Sequence, residues 1–157
     1  MKIIFPVRQN PKTFTLGYMM HTIQTNLLQN AVRILLGVFM AGAAVAHCTF
    51  ARAAFQAQVP GWMPLNKDLV VILSGIVEFA LGISMIFWTK EKIPVGIALA
   101  IFYVLIFPGN IAQYTNHSSA FGLNTDRARL IRLFFQPILI LLALWSTGVF
   151  SWFFNKG

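Results

Sequence analysis

Residues 69–88 read LVVILSGIVEFALGISMIFW, and their one ionisable side chain is Glu78. A helix that crosses the hydrocarbon core of a bilayer needs about 20 predominantly apolar residues. This stretch has that length. It is also too long and too continuously apolar for a barrel strand, which alternates apolar and polar faces. Only helices and closed barrels satisfy their backbone in lipid, so the stretch reads as a membrane-spanning helix. Three more runs qualify, at about 31–51, 94–113 and 130–150. The expected fold is all-α: a polytopic membrane protein with one four-transmembrane-helix bundle over residues 31–150. Residues 1–30 read as a cytoplasmic or interfacial tail, with a short helix on the membrane surface near 14–28 as one form of it. Residues 151–157 read as a C-terminal tail.

Composition agrees. The chain is 57% hydrophobic and only 10% charged, against about 25% charged in soluble domains, and its mean hydropathy is +0.70. The net charge of +8 does not indicate nucleic acid, because the basic residues sit mainly at the edges of apolar runs, where headgroups and the positive-inside rule place them. Lys2, Arg8, Lys12, Arg33, Lys90, Lys92 and Lys156 fall on the side of the termini. Arg52, Lys67, Arg127, Arg129 and Arg132 fall on the other. The excess predicts cytoplasmic termini. The first thirty residues, broken by prolines and polar side chains, hold no continuous apolar h-region of a cleaved signal. The small residues Gly37, Ala41 and Ala44 on the first span, and Gly75 and Gly82 on the second, predict close helix packing.

The polar groups inside the spans share one depth. Glu78 lies about 13 Å into its helix at 1.5 Å per residue. His47 is near the end of the first span, Asn110 and Gln113 near the end of the third, and Arg132 and Gln136 near the start of the fourth. Odd and even spans run in opposite directions, so all six fall in the half of the membrane that faces the first and third loops. A charge near the bilayer centre costs about 2.5–3.5 kcal/mol on insertion scales, so Glu78 is expected to face the bundle interior and find a partner. Arg132 has the opposite charge and a long stem, and His47, Asn110 and Gln136 can complete the hydrogen bonds. Pro108 and Pro137, in the same layer, each leave a helix carbonyl without its donor. Such a layer can fix helix register, bind a ligand, or relay protons. The loop QVPGWMP, residues 58–64, is stiff and aromatic; Trp62 reads as an interfacial anchor or as a lid over the layer. Cys48 is the only cysteine, so there is no dithiol chemistry within the chain. No metal site is expected, because His21 and His117 lie outside the spans. No cofactor is evident from the residues.

Five segments in order carry a resemblance: H-x-x-F at His47 and Phe50, VPGWMP at 59–64, SGIVEFALG at 74–82, FPGNIAQY at 107–114 and RLFFQPILILLALW at 132–145. Together they resemble the DoxX-like family of small four-helix membrane proteins, over roughly residues 31–147. Gly61 stands where that family often has a second proline. The resemblance implies a bacterial inner (plasma) membrane location and links to quinone or thiosulfate oxidation and to redox-stress complexes. The expected function is an accessory or ligand-binding component of a membrane redox system that holds a quinone, a lipid or another amphipathic molecule. The expected partners are membrane lipids, a redox partner protein and other copies of the chain. A quinone-linked oxidoreductase subunit and a scaffold without a ligand are the alternatives. With one thiol and no haem ligand pair, activity by the chain alone is the less favoured reading.

Overall fold

The computed structural model describes residues 23–154. Among these residues six helices follow one another: α1 (Leu27–Cys48), α2 (Arg52–Gln56), α3 (Lys67–Phe87), α4 (Lys92–Thr115), α5 (Asp126–Ser146) and α6 (Val149–Phe154). There is no strand among the described residues. α1, α3, α4 and α5 are each long and apolar enough to cross a bilayer. The chain is a multi-pass membrane protein built on a four-helix bundle, the fold class that the apolar runs predict.

Caps place the helix ends away from the edges of those runs. Asn26 and Gln29 form a capping box: the Gln29 N–H donates to the Asn26 side chain at 2.8 Å, and the Asn26 N–H donates to the Gln29 side chain at 3.0 Å. The box satisfies two N–H groups that lack an intrahelical acceptor, so α1 begins at Leu27 and not near 31. Thr125 accepts from the Ala128 N–H at 3.2 Å, which starts α5 at Asp126 and not at 130. α5 ends at Ser146 and not at 150, because Thr147 and Gly148, the latter at φ 81°, turn the chain into α6. The predicted C-terminal tail is therefore partly helical, and Trp152 in it is buried. The predicted N-terminal tail lies largely outside the described residues; the end of the surface helix expected at 14–28 belongs to α1. Arg33, read as a loop charge, is buried within α1. It donates through Nη1 to the carbonyls of Met85 and Ile86, the latter at 3.3 Å, at the C-terminal end of α3.

The bundle consists of two tight antiparallel pairs, α1 with α3 and α4 with α5. Gly37 and Gly82 make the first pair possible. A Cβ on Gly37 would lie 2.7 Å from the Gly82 carbonyl oxygen, and one on Gly82 would lie 2.8 Å from the Gly37 oxygen. Lipid provides no hydrophobic force between helices, so such backbone contact supplies the packing. Between the pairs lies a core that includes Leu36, Met40, Met85, Leu99, Phe102 and Leu139. The outer faces are apolar as well: Leu35, Leu105, Ile131 and Phe134 are largely exposed. A water-soluble bundle would carry polar groups there.

Candidate functional site

A cavity of about 400 Å³ lies between the two helix pairs, in the half of the bundle under the first and third loops. All four long helices line it, together with α2 and the loop residues Gln58–Met63 and Phe121–Leu123. Most of its lining is apolar. Five of the six residues that the sequence singles out, His47, Glu78, Asn110, Arg132 and Gln136, reach its wall; Gln113 does not.

Their partners differ from the expected ones. Glu78 Oε2 is 3.0 Å from His47 Nε2, with both side chains more than nine-tenths buried. The sequence reading pairs Glu78 with Arg132, but the described residues form no such ion pair. Helical spacing explains the difference. Gly37, Met40, Ala44 and His47 follow one another three and four residues apart, as do Gly75, Glu78 and Gly82, and such positions share a helix face. The glycine contact that locks α1 onto α3 therefore turns His47 toward Glu78, a signal present in the sequence. Gly75 leaves room for the imidazole: a Cβ there would lie 3.1 Å from the His47 Cβ.

Hydrogen bonds orient these side chains. His47 Nδ1 is 3.1 Å from the Val71 carbonyl oxygen and 3.4 Å from the Ser74 hydroxyl oxygen. The Ser74 hydroxyl donates to the same carbonyl at 2.9 Å. In the same way, Gln136 Nε2 donates to the Tyr103 carbonyl at 2.8 Å, next to the Val104 carbonyl that Pro108 leaves without a donor. That bond turns Gln136 Oε1 toward Asn110 Nδ2, 2.9 Å away. The Asn110 amide oxygen accepts no hydrogen bond among the described residues, and Asn110 lines the cavity.

Arg132 makes no hydrogen bond among the described residues. Its Nε is buried and without a partner, and its Cζ lies 5.9 Å from the Phe121 ring centroid, at the outer limit of a cation–π contact. Phe121 holds φ 56°, a left-handed conformation that costs a bulky residue about 1–3 kcal/mol. Its ring packs edge-on against Phe55 at 4.7 Å, and Phe55 lies 3.5 Å from His47 between ring centroids. An aromatic wall therefore joins the His47–Glu78 pair to Arg132. The sequence reading missed Phe55 because α2 is too short to show periodicity.

Gln113 instead holds the cover. It accepts from Gln58 Nε2 at 2.7 Å and donates to the Ala120 carbonyl at 3.3 Å, so it ties the first loop to the third. Arg52, in α2, forms a two-point ion pair with Asp68 at the start of α3, and Asp68 holds the Arg52 guanidinium above its ordinary pKa. Trp62 lies on the cavity rim and is 70% exposed. The cavity wall runs outward to Phe39 and Leu105, whose side chains are largely exposed on the outer faces of α1 and α4. No group of three or more metal-ligating side chains occurs among the described residues.

Residues 36–147 match the sequence profile of a family described as a domain of unknown function, DUF8561. The chain belongs to this family. The matched region contains every residue that lines the cavity. No curated protein and no solved structure matches the chain.

Proposed function

We propose that the protein is a ligand-binding accessory component of a membrane redox system, and that the cavity holds a quinone or another amphipathic molecule. The observation that carries this reading is a mostly apolar cavity with a few convergent polar groups, open toward lipid-facing side chains. Ligand sites of about 300–1,000 Å³ have this make-up. The Arg132 guanidinium would donate to a headgroup oxygen, Phe55 and Phe121 would flank the ring or chain, and Gln58–Met63 would cover the site. The resemblance to DoxX-like proteins supports a bacterial inner membrane and a redox partner protein, and the excess of basic residues on the side of the termini supports cytoplasmic termini.

The test is to purify the protein in a mild detergent and identify co-extracted small molecules by mass spectrometry, beside an Ala43→Phe variant. Ala43 lines the cavity and is only half buried, so phenylalanine fills space without displacing the core. A hydrophobic molecule found with the wild type and absent from the folded variant is the expected result. Equal amounts in both would refute the reading. One observation favours a second reading, a quinone-linked oxidoreductase subunit: the His47–Glu78 pair lies at the cavity wall, where it could pass a proton to a quinone as an external reductant reduces it. Turnover by the pure protein with quinone and a reductant tests it, and no turnover rejects it.

A further inference from the structure

The acidic side chains leave Arg132, on the cavity wall, without an ion pair among the described residues. The chain has four acidic residues. Asp68 is engaged by Arg52, and Asp126 by Arg129 and His117. Glu91 lies at the start of α4, at the opposite end of the bundle. The fourth, Glu78, is bound to His47. Tyr103, the remaining titratable group on the wall, donates to the Met40 sulfur at 3.1 Å and is buried. Arg132 is thus a cation on the wall of a mostly apolar cavity, with no hydrogen bond and no ion pair among the described residues and its Nε buried without a partner. An isolated charge in that setting is costly unless something compensates it.

We propose that the cavity selects amphiphiles whose headgroup is an anion bearing oxygen, a carboxylate or a phosphate, and that Arg132 is its partner. The inference rests on the cavity being a ligand site, and it names the ligand's chemistry. Guanidinium forms paired, charge-assisted hydrogen bonds to both kinds of headgroup. The chain of the amphiphile would run along the apolar wall toward Phe39 and Leu105. Neutral quinones become the weaker ligands, since a carbonyl oxygen gives the guanidinium a weaker hydrogen bond than an anion does.

Binding of dodecanoate, dodecyl phosphate, dodecanol and a short-chain ubiquinone is measured by titration calorimetry in digitonin at pH 8, with empty-micelle blanks. At least one anion is expected to bind about tenfold or more tighter than the alcohol, the range of a charge-assisted bond. The better anion tells carboxylate from phosphate. Arg132→Gln should abolish the preference for the anion over the alcohol, and Arg132→Lys should keep part of that preference, which separates loss of charge from loss of fold. Equal binding of anion and alcohol by the wild type, or a preference that survives in Arg132→Gln, overturns the proposal. Quinone binding without anion binding overturns it too but leaves the ligand-site reading standing. No binding by any of the four removes both.

Discussion

His47 Nε2 and Glu78 Oε2 are 3.0 Å apart and shielded from solvent, one side chain at the end of α1 and the other in the middle of α3. Breaking a buried pair by removing one partner costs about 3–5 kcal/mol, whereas replacing both with apolar groups is often neutral. His47→Leu should therefore lower the melting temperature in detergent sharply. Glu78→Gln should cost less, because its amide can still hydrogen-bond to Nε2 in either direction. The double variant His47→Leu, Glu78→Met should recover most of the loss. A double variant no more stable than His47→Leu would show that the stability comes from packing and not from the pair.

The four spans were legible because hydrocarbon thickness imposes a length and a composition that few other structures share. The helix ends were not, because capping residues such as Asn26 and Thr125 are polar and sit outside the apolar runs. The depth of the polar residues was legible from counting along each span. Their partners were not, because depth leaves the direction around the helix open. Glu78 has Arg132 and His47 at comparable depth, and the glycine contact between α1 and α3 decides for His47. Gln113 shares a helix face with Asn110 at a spacing of three, yet the Gln58 amide, 55 residues away in sequence, draws it into the loops.

Gly37 and Gly82 set the distance between α1 and α3. A methyl group at either would meet a backbone oxygen at under 3 Å, which no rotamer change can relieve. Gly82→Ala should destabilise by about 1–3 kcal/mol, the cost of overpacking. Gly42 is the control, since a Cβ there meets nothing within 4 Å. Gly42→Ala should be neutral or stabilise by up to about 1 kcal/mol through helix propensity. Equal melting temperatures for Gly42→Ala and Gly82→Ala would contradict the close approach.

The Gln58–Gln113 bond holds the loop over the cavity. Hydrogen bonds of this kind contribute about 0.5–1.5 kcal/mol, little against the whole fold but enough to change how often a loop opens. Gln113→Leu should leave the melting temperature within a few degrees of wild type and speed hydrogen exchange at residues 57–66. Unchanged exchange there would mean that Pro60 and the ion pair of Arg52 with Asp68 hold the loop by themselves.

Asn110 and Gln136 should matter less to stability than their burial suggests. Hydrogen bonds between helices in a membrane average about 0.6 kcal/mol by double-mutant cycles. Asn110→Leu should therefore cost about that much while removing an acceptor from the cavity wall. A loss several times larger in thermal unfolding would show that the amide chain to the Tyr103 carbonyl braces α4 around Pro108.

Arg132 gives the sharpest contrast between stability and function. An arginine held by protein partners stabilises a bundle, and its removal costs free energy. An arginine with no hydrogen bond and no ion pair does the reverse in the empty protein, because it carries part of the roughly 2.5–3.5 kcal/mol that a charge at mid-membrane costs. Arg132→Met keeps the apolar stem and removes only the charged end, so the ligand-free variant should melt at a higher temperature than the ligand-free wild type. Adding dodecanoate or dodecyl phosphate should raise the wild-type melting temperature and leave that of the variant unchanged, since only a ligand that binds the folded state shifts it. A lower melting temperature for ligand-free Arg132→Met would mean that Arg132 is a packing residue whose contact with Phe121 outweighs its isolated charge.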